Sequence, residues 1–175
     1  MITTSPIVRT ALETDIEQIT TLFLHSVDTS VPGITFSTDP DYTLDKIVPS
    51  LQKRLFPPRS YKTYVLELHT GELVGYGNVK PKGGPNHDED ELDMFFVKAG
   101  LGGRGYGSQL MKAIQADWGE RGLCVHVFQK NARAIGFYER WGFQTVEGAE
   151  VELELYMANG PKEETACLMR WSRTS

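Results

Sequence analysis

Apolar positions along the chain alternate between two spacings, and each change of spacing predicts the start of a new element. Ile7-Val-Arg9 reads as a short strand, and after Glu13-Thr-Asp15 the residues Ile16, Ile19, Phe23 and Val27 recur at helical spacing. Pro, Gly, Ser and Asp then accumulate from residue 30 to about 40, which marks a loop. Residues 42–55 predict a second helix with Leu44, Ile47, Val48 and Leu51 on one face, ended by Pro57-Pro58. Residues 61–68 and 73–80 flank Thr70-Gly71 and predict an antiparallel hairpin, followed by an exposed loop over 81–90. Next come a strand at 91–97 and a helix from about 105 to 121 that buries Leu110, Ile114 and Trp118, with Gly122 as its stop. A strand at 123–128 leads to a helix opened by Asn131, reaching Trp141 and stopped by Gly142. Strands at 151–157 and 165–171 close the chain as a hairpin across Asn159-Gly160. No repeat or low-complexity linker interrupts this order, so residues 1–175 are expected to form one α/β domain, of α+β type, with a largely antiparallel sheet.

Composition narrows the function classes. At 175 residues and 40% hydrophobic content the chain can close one substantial core. It has no run of eighteen apolar residues, and Met1-Ile-Thr-Thr-Ser-Pro lacks the basic start and apolar core of a signal peptide. A cytoplasmic protein without a membrane partner is expected. The net charge of -5, with no basic block, argues against nucleic acid. Cys124 and Cys167 fall in predicted strands outside any C-x-x-C pair and read as reduced core thiols, with no placed base to make either a nucleophile. His25, His69, His87 and His126 show no metal-ligand spacing, so no metal is expected.

The densest chemical signal is Glu91-Leu-Asp-Met-Phe-Phe-Val97 running into Gly100-Leu-Gly-Gly-Arg-Gly-Tyr-Gly107, with five glycines in eight residues before a helix. Bare backbone amides at the positive end of a helix suit a phosphate. A Walker loop needs Gly-Lys-Ser/Thr, but Gly107 is followed by Ser108-Gln109. Gly100-x-Gly102-x-x-Gly105 matches the dinucleotide fingerprint, yet the next strand ends in Gln129-Lys130-Asn131 with no acid for a ribose.

Gly102-Gly-Arg-Gly-Tyr-Gly107 resembles the pyrophosphate motif Arg/Gln-x-x-Gly-x-Gly/Ala of the GCN5-related N-acetyltransferases. Gly105 and Gly107 fall on its glycines, while Gly102 stands where the motif has Arg or Gln. A second segment, Asn131-Ala-Arg-Ala134-Ile-Gly-Phe137-Tyr138-Glu-Arg-Trp-Gly142-Phe143, resembles the family's Asn-x-x-Ala-x-x-Phe-Tyr-x-x-x-Gly-Phe at every named position. The resemblance covers nearly the whole chain, with its motif-bearing core at about 61–145. It implies a mixed, mostly antiparallel sheet splayed between the fourth and fifth strands and flanked by helices. It implies acetyl-CoA as cosubstrate, with pantetheine against the backbone of Phe96 and Val97. The pyrophosphate would lie on the loop at Gly102, Gly103, Arg104, Gly105, Tyr106, Gly107 and Ser108, and Asn131 and Ala134 would lie along the cofactor. Tyr138 matches the residue that protonates the departing thiolate.

Strand alternation places Glu91, Asp93 and Phe95 on one face and Leu92, Met94 and Phe96 on the other, which makes Glu91 and Asp93 candidates for base or amine anchor. Asp88-Glu-Asp90 reads as a solvated loop, and Asn131 also reads as a helix cap. The expected reaction is direct acetyl transfer to a primary amine, first of a small molecule and second of a protein. A non-catalytic acyl-CoA sensor is the reading from another class, motivated by Gly102. The acceptor pocket is expected from residues 28–55 and the closing hairpin, with Phe36, Tyr42, Trp141 and Tyr156 as candidate walls. Homodimers are common among proteins of this kind.

Overall fold

A computed structural model describes residues 5–57, 61–82 and 89–172. Its strands are β1 (Ile7–Thr10), β2 (Lys62–Glu67), β3 (Leu73–Lys80), β4 (Glu91–Val97), β5 (Leu123–Phe128), β6 (Gln144–Thr145), β7 (Val151–Leu155) and β8 (Lys162–Trp171). Its helices are α1 (Ile16–Ser26), α2 (Leu44–Leu55), α3 (Tyr106–Trp118) and α4 (Ala132–Arg140), with short 3-10 turns before and after α1. The strands form one mixed sheet in the order β1-β2-β3-β4-β5-β8-β6, and β7 also pairs with β8. Neighbours are antiparallel except β4 and β5.

The sheet separates two layers. Beneath α3 and α4, Leu110, Met111 and Ile114 pack on Val79, Leu92, Val125 and Val127. Across the sheet, Ile19, Leu22, Leu51 and Leu55 of α1 and α2 pack on Val65, Tyr76 and Met94. Gly77 in β3 sits where a Cβ would come within 2.6 Å of Ile114 Cδ1, so a bare backbone lets α3 lie close to the sheet. The helix at 44–55 buries Leu51 and Leu55 but leaves Leu44 43% exposed, so its apolar face lies one turn later than the spacing predicts. Of the predicted stop Pro57-Pro58, Pro57 stands two residues beyond the helix end at Leu55, and Pro58 lies outside the described residues. The closing hairpin differs from expectation in having a longer second strand. β8 takes β5 on one edge and both β6 and β7 on the other, and its first three residues, Lys162-Glu-Glu, pair with β7. Among the described residues no helix is long and apolar enough to cross a membrane.

Two local features position the site. First, β4 carries an extra residue: Asn78 lies opposite Met94 but Val79 lies opposite Leu92, so Asp93 forms a bulge. This overturns the expected alternation. Met94 and Phe96 join the α1/α2 layer, whereas Leu92 faces α3 and Phe95 turns toward Phe137 of α4, with ring centroids 5.4 Å apart. Second, β4 and β5 pair at the single position Glu91 opposite Cys124, beside the Cys124 N–H bond to the Asp90 carbonyl at 2.9 Å. Beyond it β5 follows β8, and the far half of β4 is left without a partner on that edge.

Candidate active site

The gap between β4 and β5 opens into a cleft of about 540 Å³. Its walls include Phe96, Val97, Gly102, Gly103, Gly105, Tyr106, Gly107, Ser108, Asn131, Ala134 and Tyr138, all singled out from the sequence. Phe95, Lys98, Arg133, Phe137 and Arg140 also line it, together with Thr29 and Ser30 from the turn after α1. Arg104 does not: it is exposed and lies outside the lining.

Local backbone chemistry shapes the glycine loop. Gly100, Gly103 and Gly105 have φ of +83°, +80° and +80°, where a side chain is strained. A Cβ on any of the three would meet nothing within 4 Å beyond its own chain neighbours, so the glycines leave open space beside the loop amides. Gly105 precedes α3, and the first intrahelical bond runs from the Gln109 N–H to the Gly105 carbonyl at 2.9 Å. The amides of Tyr106, Gly107 and Ser108 therefore stand at the helix's positive end without helical acceptors. A Cβ on Gly107 would lie 3.3 Å from the Phe137 ring, so glycine here permits the contact between the start of α3 and α4. This cradle fits an anionic group such as a diphosphate.

Asn131 caps α4, its Oδ1 accepting the Ala134 N–H at 3.1 Å. Its Nδ2 donates to the Ser30 carbonyl at 3.0 Å and so ties α4 to the turn after α1, closing one wall. Val97 O accepts a bond from Ser26 Oγ at 3.3 Å. Tyr138 is 6% exposed, with its ring against Phe95, Phe137 and Phe143 at centroid distances of 6.2, 5.6 and 5.4 Å. Burial raises its pKa well above the ordinary phenol value, so the hydroxyl stays protonated through the neutral range.

Glu91 and Asp93 lie outside the cleft lining and are held in an ionic cluster on the α2 side of the sheet. Glu91 meets Lys80 Nζ at 2.8 Å and His126 Nδ1 at 2.8 Å. Asp93 meets Arg54 at 2.8 Å and Lys80 at 3.8 Å, in a separate hollow of about 620 Å³. Burial favours neutral Glu91, but the bonds and charges of His126 and Lys80 outweigh it and bring the carboxyl down to about 2. His126, which the sequence shows only as a strand histidine without metal-ligand spacing, joins this cluster through Glu91. It lies two positions beyond the bridged Cys124, where β5 leaves β4, and its side chain is 25% exposed. The signal was its alternation with Val125 and Val127, which puts it on the face opposite the α3 core.

Several expectations need correction. Asp90 is 4% exposed rather than solvated, pairing with Arg121 at 2.8 Å and accepting the Lys82 N–H at 2.8 Å. Glu89 pairs with Arg170 at 2.8 Å, while His87 and Asp88 lie outside the described residues. Trp141 packs with the α3 core, away from the expected acceptor side, because its helix lies on that layer. Tyr156 is 74% exposed. Phe36 and Tyr42 do come together, at 4.9 Å, in a cluster with Val27, Val31, Ile34, Phe128, Leu155 and Met157. The loop before α2 is tied to the closing hairpin by Asp39 Oδ2, which accepts the Ala158 N–H at 3.0 Å. Cys124 and Cys167 are buried free thiols, and burial, with the charge of Glu91, pushes Cys124 up to about 12, which disfavours a thiolate.

A family model described as an acetyltransferase (GNAT) domain matches residues 59–145, the stretch from β2 through β6 that supplies all of the cleft except Thr29 and Ser30. The chain belongs to the GCN5-related N-acetyltransferase (GNAT) superfamily. This GNAT chain is 33% identical over 86 residues to the spermine/spermidine N(1)-acetyltransferase of Bacillus subtilis (strain 168), covering 43% of this chain and 55% of that one. It is 37% identical over 79 residues to an uncharacterized N-acetyltransferase of Mycobacterium tuberculosis, covering 43% of this chain and 49% of the relative. The chain thus spans about half the length of the curated relatives it matches. Its fold is similar to that of the PaiA N-acetyltransferase from Thermoplasma acidophilum, whose crystal structure is in complex with coenzyme A. That superposition has a TM-score of 0.65 at 16% identity and covers 97% of this chain and 99% of that one.

Proposed function

We propose that the protein transfers an acetyl group from acetyl-CoA to a primary amine of a small cationic molecule. The observation that carries this reading is the parting of β4 from β5 beside Tyr138 and the glycine loop. Unpaired loop amides at one end suit the diphosphate of CoA, and the unpartnered edge of β4 near Phe96 and Val97 suits the amides of pantetheine. The acetyl thioester is the electrophile the cosubstrate brings. The protein's own side chains then have two proton tasks, one on each face of the sheet.

An amine that arrives as an ammonium ion sheds one proton before attack and a second after it, when the C–N bond forms and the C–S bond breaks. The departing thiolate takes up one. In this reading Tyr138 donates toward the sulfur, a role supported by its position in the cleft wall and by a buried hydroxyl that stays a phenol at neutral pH. On the opposite face, Glu91 is too strongly held as a carboxylate to be a good base itself. By accepting from Nδ1 it orients His126, leaving Nε2 as the ring atom that accepts a proton. Asp93, bound by Arg54 and Lys80, keeps that cluster in place.

A cationic acceptor is supported by the name of the B. subtilis relative and by the net charge of -5. Glu150, Glu152, Glu154 and Glu163 also stand exposed on and just before the closing hairpin. The test is release of free CoA from acetyl-CoA with spermidine as the amine. Spermidine-dependent release supports the reading, and release no faster than without amine, across polyamines and monoamines, refutes it.

A further inference from the structure

The pyrophosphate motif has Arg or Gln where this chain has Gly102, and the backbone does not require glycine there. Gly102 is absent from the glycines with positive φ, unlike Gly100, Gly103 and Gly105 around it. What occupies the space beside it is the far end of a flexible side chain, the guanidinium of Arg133, the second residue of α4. A Cβ on Gly102 would overlap Arg133 Nη2 and lie 3.5 Å from its Cζ, and it would meet no other side chain or distant backbone within 4 Å. Arg133 is exposed, lines the cleft and forms no ion pair among the described residues. Its guanidinium therefore lies over the glycine loop, in the space that a side chain at position 102 would enter.

We propose that Arg133 supplies from α4 the cation that the motif places at the start of the loop, and that Gly102 is glycine in order to admit it. This rests on the acetyl-CoA reading above. A guanidinium presents paired N–H donors matched to two phosphate oxygens, and it stays charged at every working pH. It complements the loop amides, which offer directional donors but no net charge. The substitution at 102 is then a relocation of the phosphate contact rather than its loss, and the ligand group it recognises is the diphosphate of CoA.

A double-substitution cycle read by calorimetric titration tests this, with melting temperature as the folding control. Arg133→Met keeps the aliphatic stem and removes the charge, and should weaken acetyl-CoA by about tenfold to a hundredfold, as expected for a charged hydrogen-bonded contact. The same loss is expected with 3′-dephospho-acetyl-CoA, and no change with S-acetylpantetheine, which has no phosphate. Gly102→Arg should bring no gain in the wild-type background, where Arg133 fills the space, but should recover at least fivefold in the Arg133→Met background. Binding of acetyl-CoA by Arg133→Met within twofold of wild type would overturn the proposal. So would an equal loss for S-acetylpantetheine, a loss that vanishes with the dephospho ligand, or additive effects of the two substitutions. A wild-type protein that binds no acetyl-CoA overturns the cosubstrate reading together with this proposal. A wild type that binds and a cycle that shows no coupling overturn this proposal alone.

Discussion

Replacing Tyr138 by Phe separates catalysis from folding more cleanly than any other single change in the cleft. It removes one oxygen and leaves the ring in contact with Phe95, Phe137 and Phe143. Burial alone accounts for the raised pKa of the hydroxyl, with no hydrogen-bonding side chain contributing. Its removal therefore orphans no donor or acceptor among the described residues, and stability should change by no more than about 0.5 kcal/mol. The kinetic effect should be large. A thiolate whose conjugate thiol has a pKa of about 8.5 is a weaker base than phenolate, so the role proposed for Tyr138 is to donate a hydrogen bond that strengthens as charge builds on sulfur. Loss of such a donor should lower kcat about a hundredfold, or about 2.7 kcal/mol of barrier, with acetyl-CoA affinity within about twofold of wild type. Free thiol release under saturating acetyl-CoA and amine gives kcat, and a melting curve gives the control. A variant that melts like wild type and turns over within threefold of it would refute the proton-donor assignment.

The ionic cluster across the sheet makes two further predictions. His126→Gln should lower kcat/KM about a hundredfold at pH 7 while the melting temperature stays close to that of wild type. A variant that turns over within threefold of wild type would exclude His126 as proton acceptor. Glu91 is held at about 2 against an ordinary 4.5, so it contributes stability in full above about pH 4.5 and loses that contribution as pH falls toward 2. The gap corresponds to about 3 kcal/mol. Urea unfolding from pH 6 to pH 3 should show a flatter decline for Glu91→Gln than for wild type, and identical slopes would contradict the pairing with Lys80 and His126.

The parts of the fold written in periodic apolar positions were legible: α1, α3, the β2–β3 hairpin and β5 lie within a few residues of where the spacing puts them. The glycine loop and the Asn131 to Phe143 segment were legible as motifs, because they demand specific residue types at fixed offsets. What escaped had no periodic trace. The bulge at Asp93 adds one residue to β4, and a period-of-two reading carries its error onward, so Phe95 was put on the wrong face. β6 is two residues long, too short to show a pattern, and β8 begins in Lys162-Glu-Glu, whose polar side chains hide a strand that pairs with β7. Asp90 looked solvated because its partner Arg121 is 31 residues away in sequence. The relation between Gly102 and Arg133 escaped for the same reason: the sequence shows Gly102 as a side chain missing from the motif, and only the fold brings Arg133 of α4 over the loop.

Amine acetylation from acetyl-CoA in the cleft between β4 and β5 is tested most directly by the mass of spermidine after incubation with acetyl-CoA and the protein, alongside quantified free CoA. The expected product is 42 mass units heavier (the mass of one acetyl group replacing hydrogen), formed one-for-one with CoA and suppressed about a hundredfold in Tyr138→Phe. CoA release without acetylated amine, or acetylated product formed equally well by Tyr138→Phe, would contradict it.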